Sequence, residues 1–297
     1  MNTFAVQKKI LSIHTEDRDI SKWPTSTVFT IDTPIEYKSV VSLRLADIDL
    51  PINMYVFSEK NQNISMSVIT DKPYTITISE GTYTGPQLAT ELQGRINDTL
   101  NSTNYNVKYD SSSMKFVFYT IETFKLDFTN PLDSTIYAQS SQWGLGSYLG
   151  FEKKMYTSSL NNVNYQIGTT ISTLQSILSP FPASIQGDPY IYMDLDLYNN
   201  MDEIIPYTIR SNNLISANYG GKHNSSFAKI PRITFSGNPV YVSKENFLTN
   251  LFFSDPPLER VQSFKFKFRY HDGRLVDFGL TNFSFSIEIT MLRYIFD

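Results

Sequence analysis

The stretch SFKFKFRYHDGRLVDFGLTNFSFSIEIT (residues 263–290) alternates apolar with polar residues on both sides of an interruption. A period of two is typical of strands, whose side chains point alternately to the two faces of a sheet. It predicts antiparallel strands in which Lys265, Lys267 and Arg269 face solvent. The residues predicted to point into the core are Phe264, Phe266, Phe268, Phe283, Phe285 and Ile287.

Asp272-Gly273 predicts a two-residue type I′ turn after the first of these strands. The segment KFKFRY (265–270) also alternates basic and aromatic residues, as an RNA-binding strand does. Alternation places its rings and its charges on opposite faces, whereas base stacking combined with phosphate binding needs both on one face. A buried aromatic face is therefore the favoured interpretation.

The same period recurs elsewhere in the chain. Residues 39–51 carry apolar residues at Val41, Leu43 and Leu45 and then at Ile48 and Leu50, which predicts a strand with one phase change and hence a β-bulge. Residues 105–119 predict a hairpin around a polar turn.

Two segments have a helical period. In residues 84–100, Gly85 is the expected N-cap, Pro86 is the expected first helical residue, and four apolar residues recur at steps of four. Those four residues are Leu88, Leu92, Ile96 and Leu100. Residues 169–180 predict a second, weaker helix that ends at Pro180.

These elements predict a mainly β fold, a jelly-roll-like antiparallel β-sandwich that carries a small inserted α+β subdomain of strand, helix and hairpin. The expected division is an N-terminal arm at 1–24, a sandwich built from 25–71 and 185–297, and an inserted region with its linker at 72–184. The arm is expected because residues 1–24 lack apolar periodicity, so contact with a neighbouring subunit would order them.

Composition restricts the function. Charged residues are 18% and aromatic residues 14% of the 297 residues, a combination found where surface is buried against other proteins. On composition alone the aromatic content is explained at least as well by the preference of these residues for strands. A net charge of −4 argues against sequence-specific nucleic-acid binding. The sequence contains no cysteine and no apolar run of membrane-spanning length, which predicts a protein of a reducing compartment without a membrane span.

The sequence predicts no catalytic, cofactor-binding or metal-binding residues. His14, His223 and His271 are isolated in sequence. Residues 194–203 begin like a calcium loop but place Tyr and Asn where a ligand and a glycine are needed. Asp194 and Asp196 are instead expected to face water, opposite an inward face of Met193, Leu195 and Leu197. Residues 144–150 lack the spacing of a dinucleotide fingerprint and predict a turn.

Three stretches, at 17–51, 76–97 and 227–289, resemble minor capsid or penton-type proteins of large nucleocytoplasmic DNA viruses, which build giant icosahedral particles. The distinctive motifs are EGTYTGPQLATEL (80–92) and PPLERVQSFKFKFRYHDGRLVDFG (256–279). The resemblance implies a jelly-roll-like building block of the virion, assembled in the host cytoplasm. It brings no catalytic residues with it.

The implied function is a non-enzymatic minor capsid or penton protein that bridges or plugs the major capsid lattice. Its expected partners are the major capsid protein and other minor capsid proteins, and self-association is left open. The alternative is a vertex or tail module that binds a receptor or glycan, which needs an exposed aromatic platform; Trp23 and Trp143 are the tryptophan candidates. An enzyme with acidic residues that meet only in the folded chain is the third class considered.

Overall fold

The computed structural model describes residues 3–51, 54–129, 143–167, 170–204, 223–232, 240–242 and 251–295. The helices are α1 (Gly85–Leu100) and α2 (Leu145–Tyr148), and a 3-10 turn spans Thr15–Asp17. The strands are β1 (Thr3–His14), β2 (Val28–Asp49), β3 (Ser65–Ile69), β4 (Pro73–Thr77), β5 (Asn106–Asp110), β6 (Lys115–Thr120), β7 (Lys125–Asp127), β8 (Met155–Thr157), β9 (Ser159–Ile167), β10 (Thr170–Leu178), β11 (Tyr190–Leu195), β12 (Met201–Ile204), β13 (His223–Ser226), β14 (Ala228–Pro231), β15 (Val240–Val242), β16 (Leu251–Arg269) and β17 (Ser284–Ile295).

The described residues form two compact units. Those within Met1–Met54, Asp188–Pro206 and Ala217–Asp297 form the first, and those within Tyr55–Gly187 belong to the second. The second unit is therefore inserted into the sequence of the first. The boundaries predicted from the sequence were 71/72 and 184/185, whereas the structure has them at 54/55 and 187/188. The first boundary differs because β3 pairs with strands of the second unit. Independent folding of the two units remains a prediction.

The first unit is built on one antiparallel sheet in the order β1-β17-β2-β16-β11-β14, with β15 also paired to β2. This sheet folds over on itself. Phe29 and Ile48 would lie roughly 60 Å apart if β2 were straight, since an extended strand rises about 3.3 Å per residue. Yet Phe285, the cross-strand partner of Ile48, has its ring centroid 6.5 Å from that of Phe29.

The two halves of β2 consequently belong to two facing layers. One layer contains β1, β17, the C-terminal half of β2 and the N-terminal half of β16. The other contains the remaining halves of β2 and β16, followed by β11 and β14. The β2–β16 ladder is interrupted at residues 33–36 and 254–257, and both interruptions contain proline, which cannot donate to a ladder.

The core of this unit is the predicted aromatic face. All six predicted residues are buried, and they pack with apolar residues of β2 and β11. The closest ring pair among them is Phe266 with Phe285, whose centroids lie 4.9 Å apart in an edge-on arrangement. The mainly β, antiparallel sandwich class is confirmed, together with the α+β character of the inserted unit.

The phase change predicted in β2 is also confirmed. Strand β17 pairs with Asp47 and next with Leu45, which leaves Ala46 as the extra residue of a β-bulge. Leu45 and Ile48 therefore both point into the core although three positions separate them.

The turn after β16 differs from the prediction. The Gly273 N–H donates to the Tyr270 carbonyl (3.0 Å), and the Tyr270 N–H donates to the Arg274 carbonyl (2.8 Å). With φ of 89° at Gly273, this is a type I turn followed by a left-handed glycine. A type I′ turn is wrong because it needs positive φ at both central residues, and Asp272 is not among the described residues that have it.

The prediction that residues 1–24 form an arm is wrong for those of them that the structure describes. Residues 3–14 form β1, which pairs with β17 without interruption. Beyond it, Arg18 is buried and donates to the carbonyls of Thr15, Trp23 and Pro24. The sequence did not indicate β1 because neither face of this edge strand is uniformly apolar. Val6 is exposed on one face, and Lys9 is half-buried on the other.

The second unit contains two four-stranded antiparallel sheets, β4-β3-β7-β8 and β5-β6-β10-β9, and helix α1. The predicted hairpin is confirmed as β5–β6. Helix α1 begins one residue earlier than expected: Thr84 is the N-cap and forms a capping box with Gln87. Leu88, Leu92 and Ile96 are buried, and Leu100 is partly buried against the same core.

The prediction of a second helix at 169–180 is wrong, because residues 170–178 form β10. This strand pairs with β6 from Gln175 to Leu178 and with β9 along its length. Its β-branched residues favour a strand, and pairing on both sides outweighs the helical spacing of its apolar residues.

Replacing Leu92 by alanine should test both the buried helix face and the independence of the units. The two tryptophans act as separate reporters, since Trp23 packs on the first core and Trp143 lies in the second. With Trp23→Phe as background, Leu92→Ala should lower the unfolding free energy that Trp143 fluorescence reports by about 2–5 kcal/mol. With Trp143→Phe as background, the transition that Trp23 reports should stay unchanged.

The matched control is Thr99→Ala on the exposed side of α1, which should change either transition by less than about 0.5 kcal/mol. Equal shifts of both transitions would show one cooperative unit instead of two. The absence of any shift would show that Leu92 is not a core residue.

Candidate functional site

The outer side of the β1-containing layer is here called the outer face; Lys8, Ile10 and Phe253 are exposed on it, whereas Thr290 and Ser42 between them are buried. Two cross-strand rows define it in the order β1, β17, β2, β16. The first row is Lys8, Thr290, Ser42 and Phe253, and the second is Ile10, Glu288, Arg44 and Leu251. Val6 lies on the same side of β1, two residues before Lys8. Alternation positions these side chains, because their neighbours along β17 and β2 point into the core.

The centre of the outer face is a charge network. Glu288 accepts from the Lys8 ammonium at 3.0 Å and from the Arg44 guanidinium at 2.7 Å. Burial raises the pKa of Glu288, but its bonds to Lys8 and Arg44 outweigh burial, so the net effect is a pKa below the ordinary value. The carboxylate is thus held ionised between two cations.

Large apolar side chains flank this network in solvent. Val6 is 63% exposed, Ile10 68% and Phe253 68%. A single exposed apolar residue is ordinary, but three on one sheet face next to a paired charge network resemble a protein interface, which combines apolar contacts with polar ones. The outer face is therefore a candidate assembly surface.

A second feature is an ionic cluster in the other layer, centred on Arg269. This guanidinium, predicted to face solvent, is fully buried. Its Nε donates to both oxygens of Asp194 (3.0 and 2.9 Å), and Nη1 donates to Glu203 Oε2 (2.9 Å). It also lies over the ring of Tyr192, at 5.3 Å from the centroid. Burial lowers the pKa of Arg269, but its bonds to Glu203 and Asp194 raise it above the ordinary value.

This cluster corrects the interpretation of residues 194–203. Met193 and Leu195 point inward as predicted, but Asp194 is buried against Arg269, and Leu197 is exposed in a turn with φ of 71°. Only Asp196 faces water, where it lies 3.7 Å from the Lys265 ammonium. Little in the sequence indicated that Arg269 is buried. It is the last of three alternating basic residues, and the other two, Lys265 and Lys267, do reach solvent.

The histidines do not assemble into a site in the described chain. His14 is exposed at the end of β1. His271 lies beside the ionic cluster: its Nδ1 lies 3.6 Å from Glu203 Oε2, and its ring lies 5.6 Å from that of Tyr192. The side chain of His223 lies outside the described residues. No three His, Asp or Glu side chains in the described ranges are grouped to hold a metal ion.

The remaining candidates are structural. Residues 144–150 contain α2, and a side chain at Gly146 would collide with Phe128 and Trp143. Trp143 is buried and Trp23 is partly buried against the first core, so neither forms an open aromatic platform. Within the described part of the chain, no helix has the length and apolarity to cross a membrane.

Comparisons with known proteins find remote structural similarity. No protein-family model and no curated protein matches this sequence. The mavirus penton protein is 9% identical, with a TM-score of 0.42 over 99% of this chain and 100% of that chain. A chain of the Sputnik virophage, from a 3.5 Å cryo-EM structure, is 11% identical, with a TM-score of 0.44 over 96% and 98% of the two chains. At these values neither similarity decides the function of this chain.

Removing Arg269 should destabilise the first unit strongly. Arg269→Ala leaves the buried Asp194 and Glu203 carboxylates without their shared cation, which should cost about 3–5 kcal/mol of unfolding free energy at neutral pH. The control Lys265→Ala, on the same strand but exposed, should cost less than about 1 kcal/mol. Denaturant unfolding measures both. Similar costs for the two variants would contradict the cluster's structural role.

The pKa of Glu288 predicts a dependence of stability on pH. A carboxylate whose pKa is lower in the folded state stabilises the fold above its unfolded pKa, near 4.5, and loses this contribution as pH falls through the folded value. The difference in unfolding free energy between the native protein and Glu288→Gln should therefore be largest near pH 7 and shrink below about pH 4. A difference that stays constant over this range would contradict the assignment.

Proposed function

We propose that this protein is a non-enzymatic structural component of an icosahedral virus capsid, a minor capsid or penton protein that bridges or plugs the major capsid lattice. The outer face is the observation that carries the proposal. It holds Val6, Ile10 and Phe253 in solvent on a sheet whose other side is a closed core. Burial of such apolar surface against another protein is the general driving force for association.

Two further features support this function. The sequence resembles capsid proteins in its motifs at 80–92 and 256–279. In the structure, residues 256–269 of the second motif lie in β16, and Phe264, Phe266 and Phe268 supply much of the core. The resembling residues thus maintain a scaffold rather than line a catalytic cleft. The proposed partners are the major and minor capsid proteins, in the virion.

The receptor- or glycan-binding alternative rests on a different observation. A cleft of about 420 Å³ in the second unit places Tyr83, Tyr109 and Met114 beside Thr84, Ser184 and Gln186. Aromatic rings next to hydroxyl and amide groups suit a carbohydrate. The capsid function is preferred because the outer face extends over four strands.

The test is the composition of purified virions and the effect of changing the outer face. Mass spectrometry of clean particles should detect the protein, and Phe253→Ser should reduce its incorporation severalfold because an exposed apolar contact of the outer face is lost. The control is Phe181→Ser, the same change at an exposed phenylalanine of the second unit, which should leave incorporation unchanged. Absence of the protein from clean virions would overturn the proposal.

A further inference from the structure

We infer that the open edge of β1 receives an extended acidic segment of a neighbouring protein chain as an additional strand. The inference rests on the proposed function insofar as the neighbour is another shell component. It adds to that function a defined contact, a backbone ladder along β1, with the chemistry of the partner segment.

The edge is open in the described structure. Strand β1 ends the sheet order, and among the described strands it pairs only with β17. The register runs from Thr3 opposite Ile295 to His14 opposite Ser284 without a shift. With respect to the described residues, the full length of the strand therefore carries unpaired backbone groups on its outer side.

The hydrogen-bonding pattern identifies which residues present those groups. Thr15, one residue beyond β1, donates its N–H to the Phe283 carbonyl at 2.9 Å. In an antiparallel ladder, alternate residues bond to the same neighbour, so the odd-numbered residues of β1 bond to β17. The even-numbered residues then direct both N–H and C=O toward the open edge. Among them are Val6, Lys8 and Ile10, whose side chains lie on the outer face.

The edge lacks most features that protect exposed strands. Proteins shorten their edge strands, break them with proline or distort them with bulges. The other edge strands in the described ranges follow this rule: β14 has four residues and ends in proline, β4 begins with proline, β5 has five residues, β8 has three, and β9 pairs across a register shift. By contrast, β1 has 12 residues, no proline and no bulge. Such an edge is expected to be covered when the protein performs its function.

Charge indicates the partner. The charges that β1 contributes before its terminal histidine are Lys8 on the outer face and Lys9 on the other face. The Lys8 side chain remains 61% exposed although it pairs with Glu288. A second copy of β1 would bring another pair of lysines to this edge, which like-charge repulsion disfavours. A strand with acidic residues beside apolar ones would complement Lys8, Lys9, Val6 and Ile10 together.

The experiment uses the full-length protein and synthetic peptides of about nine residues, enough to span most of the edge. The acidic peptide repeats two valines followed by two glutamates, so that each face of its strand carries both residue types, and the basic control has lysine in place of glutamate. Hydrogen exchange of the β1 amides is the measurement. The acidic peptide should slow exchange at Val6, Lys8, Ile10 and Ser12, whose N–H groups point outward, and it should bind about tenfold more tightly than the basic peptide at low salt.

Two variants separate the backbone from the side chain. Lys8→Pro removes an outward N–H and keeps the pairing of the odd-numbered residues with β17, so it should abolish protection by the acidic peptide. Lys8→Ala leaves the backbone intact, so protection should persist with weaker binding. Equal protection in Lys8→Pro and the native protein, or no protection by either peptide, would overturn the inference. So would protection that grows with protein concentration without peptide, since the occupant would then be a second copy.

Hydrogen exchange of the β1 amides within purified virions distinguishes this inference from the capsid proposal. If the protein is in virions and its outward β1 amides are slower there than in the isolated protein, both stand. If it is in virions but these amides exchange equally fast in both states, the edge assignment fails and the capsid function remains. If virions lack the protein, the capsid function fails, while the peptide experiment still decides what the edge binds.

Discussion

The packing of Phe285 against Phe29 and Phe266 is the constraint on which the first unit depends. Residues distant along β2 meet here only because the sheet folds over and its two layers share one aromatic core. The proline-containing interruptions at 33–36 and 254–257 leave the ladder free to bend at those points. Once the layers face each other, alternation assigns each remaining side chain of β2, β16 and β17 to the core or to an outer surface.

The buried Arg269 follows from that arrangement. At the end of β16 its side chain lies between Asp194 of β11 and Glu203 of β12, and it brings the short β12–β13 pair against the main sheet. A buried ion pair adds little net stability, since desolvation offsets most of the attraction. Removal of one partner is costly nevertheless, because it leaves an uncompensated buried charge. The cluster thus links β16, β11 and β12, and His271 lies at its solvent side.

The outer face and the edge of β1 are two aspects of one layer. The core side of β17 and β2 is closed, so the parts of this layer that remain accessible to a partner are its outer side chains and the backbone of its last strand. Val6, Lys8 and Ile10 contribute to both, because even-numbered residues of β1 direct side chains to the face and backbone groups to the edge. A partner that adds a strand would therefore also cover much of the exposed apolar surface.

The sequence by itself determined the features that depend on local period and composition: the aromatic core face, the bulge in β2, the β5–β6 hairpin, the buried side of α1 and the mainly β class. Tertiary structure decided the rest. Residues 170–178 form a strand because β6 and β9 pair with them. Residues 3–14 form a strand because they pair with the edge of β17. Arg269 is buried because distant acidic residues meet it. Alternation shows which side a residue faces, whereas only the packing of distant strands determines whether that side is solvent, core or an interface.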